Sequence, residues 1–125
     1  MGASIYYRGR LADPGRFQEL RHDLLQFADR VKWEFLDLTG PDESQILEII
    51  LYPPGQCEPV FFLFDSEGRL HPAYQVDAGD EASWWCCVKT QYGPVEAHVR
   101  ILELLRHIQQ HYIPDLEVDS SLPIL

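Results

Sequence analysis

Basic residues are scarce in this chain. Its 125 residues hold ten Lys and Arg against twenty Asp and Glu, a formal net charge of −10. That scarcity argues against a nucleic-acid-binding surface, which needs a basic stripe to neutralise phosphates. It also disfavours docking on an anionic membrane. Long apolar runs are missing too, and none approaches the ~18 residues of a membrane span. The opening MGASIYYRGR lacks a basic segment followed by an apolar one, so no secretory signal is expected. Gly2 invites a myristoylation reading, but Tyr6 stands where that motif needs Ser or Thr, and the closing DSSLPIL has no prenylation cysteine. Cysteine is sparse and odd in number: Cys57, Cys86 and Cys87. An odd count does not suit a secreted disulfide scaffold. A reduced, cytoplasmic protein is expected. Dinucleotide fingerprints, phosphate loops, HExxH and Ser-His-Asp signatures are all absent, so no cofactor or metal is expected.

What is present is a core. Apolar residues make up 46% of the chain, enough for a single domain over 1–125. Ser4–Arg8 reads as a strand, and Asp13-Pro14 as a helix start with the carboxylate as cap. Phe17, Leu20, Leu24, Phe27, Ala28 and Val31 then share an arc of about 100°, which predicts a helix over Pro14–Val31. Strands follow at Trp33–Leu38, Ile46–Tyr52, Val60–Phe64, Arg69–Val76 and Ser83–Lys89. Asp65–Gly68 is a hairpin loop, and Pro72 places its strand at an edge or bulge. Gly93-Pro94 opens a second helix running to about Tyr112. The acidic tail, Asp115 to Leu125, is expected to be loosely held.

The expected fold class is α+β, with an antiparallel sheet of five to six strands and two helices on one face. The order is β-α-β-β-β-β-β-α. This order resembles that of the TATA-binding-like and helix-grip folds, a likeness of topology that carries no function.

The middle strands are too apolar for a sheet covered on one face only. VFFLF is apolar throughout, and ILEIILY breaks only at Glu48. If Leu47, Ile49 and Leu51 face the helices, then Ile46, Glu48, Ile50 and Tyr52 face away. By the same alternation Trp84, Cys86 and Val88 point in, while Trp85 and Cys87 point out beside Lys89. Either Phe61 and Leu63 or Phe62 and Phe64 join the outer set. Such a face exceeds the ~300–600 Å² of a usual exposed apolar patch. A second copy of the chain is the simplest cover. A partner protein, an apolar ligand or the folded-back tail are the alternatives. The interface or ligand candidates are therefore Tyr52, Phe61, Leu63, Trp85 and Cys87.

A second candidate is a cleft beside the second helix. Lys89, Gln91 and Tyr92 end a strand, and His98 lies in the first helical turn, so together they could hold an anion or supply an acid–base group. The plainer reading is a core-edge histidine and a snorkelling lysine. Glu103, His107 and His111 share one helical face at metal-like spacing, but that face is the polar one and reads as solvated. Cys57 sits beside Glu58, which raises a thiol pKa and disfavours catalysis.

Charge is unevenly placed. Residues 33–81 hold eleven acids against Arg69 alone, whereas residues 1–32 and 82–112 carry +2 and +1. The acids Asp37, Asp42, Glu43, Asp65, Glu67, Asp77, Asp80 and Glu81 fall near expected turns. The segments IYYRGRL, FDSEGRLH and VKTQYGPVEAHV resemble those of small uncharacterised bacterial cytoplasmic proteins. That resemblance implies a bacterial cytoplasmic domain and assigns no activity. The expectation is a non-enzymatic interaction protein, acting through the sheet face as a homodimer or on another protein. A small-molecule binder or minor enzyme at Lys89/His98, and an acidic inhibitor or immunity-type protein for a basic partner, are the alternatives.

Overall fold

A computed structural model describes residues 3–39, 45–72 and 85–120. The elements run β1 (Ser4–Arg8), α1 (Phe17–Val31), β2 (Glu34–Asp37), β3 (Gln45–Tyr52), β4 (Val60–Asp65), β5 (Leu70–His71), β6 (Cys86–Lys89), α2 (Val95–His111) and β7 (Glu117–Ser120). The expected loop acids Asp42, Glu43, Asp77, Asp80 and Glu81, the inward Trp84, and the ends of two expected strands lie outside the described residues.

The Asp-Pro helix start forms as expected. A single 3-10 turn, Pro14–Arg16, leads into α1, and the Asp13 carboxylate accepts the Gly15 amide at 2.9 Å. Leu20, Leu24, Phe27 and Ala28 bury the apolar arc. The helix ends on Lys32, a left-handed residue (φ 62°) whose amide bonds back to Ala28 and Asp29 carbonyls. That C-cap conformation usually takes glycine. In α2 the buried stripe is Ala97, His98, Ile101, Leu104, Leu105 and Ile108. Among the described residues no helix is long and apolar enough to cross a membrane.

The fold is α+β with antiparallel pairing, but the strands do not form one sheet of five to six. They form a three-stranded sheet, β6-β1-β7, and a four-stranded sheet, β2-β3-β4-β5. The order also gains a strand after the second helix. β7 lies in the acidic tail and pairs with β1 from Ile5↔Ser120 to Arg8↔Glu117. The physical reason for the split lies in β1. Its neighbours β6 and β7 come from far along the chain, with Arg8 and Glu117 bonded across 109 positions. Its continuation then leaves that sheet for the β4–β5 hairpin, where Leu11 N donates to Gly68 O at 2.7 Å and Leu70 N to Gly9 O at 3.1 Å. One extended segment thus serves both sheets. Gly9 admits the close approach of the segment after α2, since a Cβ there would lie 2.8 Å from Ile113 Cγ2. Gly68 closes the hairpin at φ +83°, and a Cβ would lie 2.9 Å from the Leu11 carbonyl.

Both sheets and both helices feed one core, which includes Tyr7, Leu24, Ile49, Phe62, Phe64, Val88 and Ile101. Buried Tyr7 also donates its hydroxyl to the Phe61 carbonyl at 2.8 Å, tying β1 to β4.

Candidate functional site

Strand alternation assigns the two faces of the four-stranded sheet. Leu47, Ile49, Leu51, Val60, Phe62 and Phe64 are buried against the helices. Ile50, Tyr52, Phe61 and Leu63 therefore point outward, and each is only half-buried. Of the two alternatives for the VFFLF strand, the outward pair is Phe61 and Leu63. Register then builds one apolar row and one mixed row across this face. Leu36, Ile50 and Phe61 stand in one row, and the next holds Glu48, Leu63 and His71. Leu38 extends the second row, since its amide bonds to the Glu48 carbonyl. Leu36 and Leu38 are 47% and 50% exposed, high for leucines on adjoining rows of one sheet face.

The same alternation in β6 buries Cys86 and Val88 and exposes Cys87 and Lys89. The outward side of β6 meets the outward side of β4 in a groove of about 360 Å³, lined by Glu58, Pro59, Phe61, Pro72, Trp85, Cys87 and Lys89. Four of the nine residues singled out from sequence meet here: Phe61, Trp85, Cys87 and Lys89. Tyr52 and Leu63 lie on the adjoining sheet face. Two bonds between Glu58 and Lys89 set the wall: Lys89 N donates to the Glu58 carboxylate Oε1 at 2.8 Å, and Glu58 N donates to the Lys89 carbonyl at 3.0 Å. Arg8 covers the Trp85 ring at 4.3 Å and is itself held by both carboxylate oxygens of Glu117 at 3.2 Å. That stack orients the indole. The groove therefore offers two aromatic rings, two prolines, one thiol, one carboxylate and one ammonium.

Lys89, Gln91, Tyr92 and His98 do not share a groove. Alternation sends Lys89 outward and Thr90 inward, and Tyr92 is 71% exposed. His98 is buried, with Nδ1 2.5 Å from Thr90 Oγ1 and Nε2 2.9 Å from Ser120 Oγ. It links α2 to the end of β6 and to β7. Burial lowers its pKa, which favours neutral imidazole. The core-edge reading of this histidine describes its setting.

The histidine face of α2 engages α1 instead. His107 Nε2 lies 3.2 Å from Asp23 Oδ2, Tyr112 donates to the same oxygen at 2.5 Å, and the His107 and His111 rings lie 4.4 Å apart, tilted by 44°. Burial works to raise the Asp23 pKa, but bonds from Tyr112 and His107 bring it below its usual value. The Tyr112 hydroxyl is pushed up to about 12 by burial and by Asp23. Cys57 is raised to about 11, by burial first and by Glu58 second. The Glu58 effect was legible in sequence; the burial was not.

Sequence reasoning missed Glu58, Pro59 and Pro72 in the groove, Arg8 over Trp85, and Leu36 and Leu38 on the face. The alternation in EFLDL carried the leucine signal, because Leu36 and Leu38 share parity. Arg8 carried none, since its position beside Trp85 depends on β1 joining β6. No family model, curated protein or solved structure matches the chain.

Proposed function

We propose that this is a non-enzymatic interaction protein whose outer sheet face buries against a second copy of the chain. The observation that carries the reading is the outward row Leu36–Ile50–Phe61, continued into the Trp85 groove. An isologous pairing places each row against its counterpart, the arrangement by which two half-covered sheets make a sandwich core. Glu34 and Glu48 share this face by register, and Glu58 borders the groove. Facing copies bring like charges together, so association is expected to strengthen as salt screens them. Leu36→Glu combined with Leu38→Glu is expected to give a monomer. A wild-type chain that sediments as a monomer at every concentration overturns the homodimer.

One observation favours a second reading. Arg69, the single base of residues 33–81, already engages Asp65 and Glu67 at 3.0 and 2.9 Å. Glu34 and Glu48, on the apolar face, make no ion pair among the described residues, which suits a basic partner, as in an inhibitor or immunity-type protein. Such a complex has the opposite salt response, its association slowing as salt rises.

A further inference from the structure

Cations are the rare charge in this chain, yet three of the ten line one groove. Arg30 and Lys32, at the end of α1, and Arg100, on α2, border a space of about 370 Å³ between the two helices. Trp33, Val31, Pro54 and Pro94 supply apolar wall, and Glu96 is the one acid. Arg100 is engaged by Glu96 at 3.6 Å and Glu103 at 3.1 Å. Arg30 and Lys32 have no carboxylate partner among the described residues; Arg30 only rests over the Phe27 ring at 5.6 Å. Lys32 also adopts the left-handed conformation, φ 62°, where glycine or asparagine costs less.

We propose that this groove binds a small phosphate ester. The Arg30 fork and the Lys32 ammonium, with the carboxylate-held Arg100 beside them, supply donors for a dianion with three oxygens. The apolar wall fits the organic body of the ester, and the volume lies in the range of small-ligand sites, ~300–1,000 Å³. Glu96 weakens the positive field and tunes affinity downward. The site lies between the helices and is independent of the outer sheet face.

The test is a titration of the full chain followed by amide and indole NMR shifts at constant ionic strength, with phenyl phosphate and inorganic phosphate as probes. Saturable shifts are expected at the Trp33 indole and at Lys32 and Ala97, with phenyl phosphate several-fold tighter than inorganic phosphate. Tighter or equal binding of inorganic phosphate rejects the ester and overturns the proposal. Arg30→Gln with Lys32→Asn, which keeps a residue at ease in the left-handed conformation, is expected to weaken binding about tenfold or more. Glu96→Gln is expected to tighten it several-fold. Shifts that fail to saturate, that match those from sodium chloride, or that survive both variants unchanged overturn the proposal.

Discussion

His98 and Asp65 show what single buried polar groups hold: His98 ties separate strands and Asp65 braces a hairpin. His98 joins Thr90 to Ser120, and so fastens the C-terminal strand to the core. Its folded pKa is lowered by burial, so as pH falls past about 6.5 the unfolded chain takes up a proton more readily than the folded one. Stability is therefore expected to be full above that pH and to fall below it. Urea midpoints at successive pH values check this: wild type should lose stability between neutral and mildly acidic pH, and His98→Gln should be flatter there. At pH 8 His98→Gln should cost about 1–3 kcal/mol through lost buried bonds. Burial works to raise the Asp65 pKa, but His71, the Arg69 and Glu67 amides and the Arg69 side chain together hold it below its ordinary value. Its contribution is present above that value and is lost only in stronger acid, as pH falls through the lowered folded pKa. The two losses are thus separable by pH. The thiols divide similarly. Burial pushes Cys57 to about 11 and Cys86 to about 12, whereas Cys87 is exposed. Alkylation followed by peptide mapping should label Cys87 first, and more slowly as protein concentration rises into the associated state.

Elements differ in how far the chain announces them. β1, α1, α2 and the hairpin were legible because each is specified by neighbours: Asp-Pro, an apolar arc, a Gly at positive φ. Gly68→Ala should accordingly destabilise by more than about 1 kcal/mol, since it adds both strain and a close approach to Leu11, and a thermal melt reads the loss. The inward and outward sides of β3 and β6 were legible from period-two alternation, and for β4 alternation narrowed the choice to two. β7 was not legible. Its sequence, EVDS, has one apolar residue, and its strand conformation comes from pairing with β1. The division into two sheets was also hidden, because it depends on Gly9–Leu11 leaving β1 for the Gly68–Leu70 segment. The site was half legible for the same reason. Phe61, Trp85, Cys87 and Lys89 followed from alternation, but their meeting in one groove follows from the segment before β4 lying against β6, where Glu58 and Lys89 exchange two bonds. Lys89 and His98 stand apart because Lys89 points outward while the next residue, Thr90, points inward and meets His98.

At the scale of the molecule, charge and apolar surface are arranged together. The acids concentrate in residues 33–81, the same stretch that supplies the outward rows of β2, β3 and β4. An apolar face bordered by like charge associates by burial and resists by repulsion, so salt should change affinity with a definite sign. Copies of this chain should associate more tightly at high salt, and a basic partner less tightly. Sedimentation equilibrium of wild type and Leu36→Glu/Leu38→Glu, at low and high salt, decides the matter. A wild-type monomer–dimer equilibrium that tightens with salt, and a double variant that stays folded and monomeric, are expected. A wild type that is monomeric throughout, or a double variant that dimerises as well as wild type, rules out this sheet face as the interface.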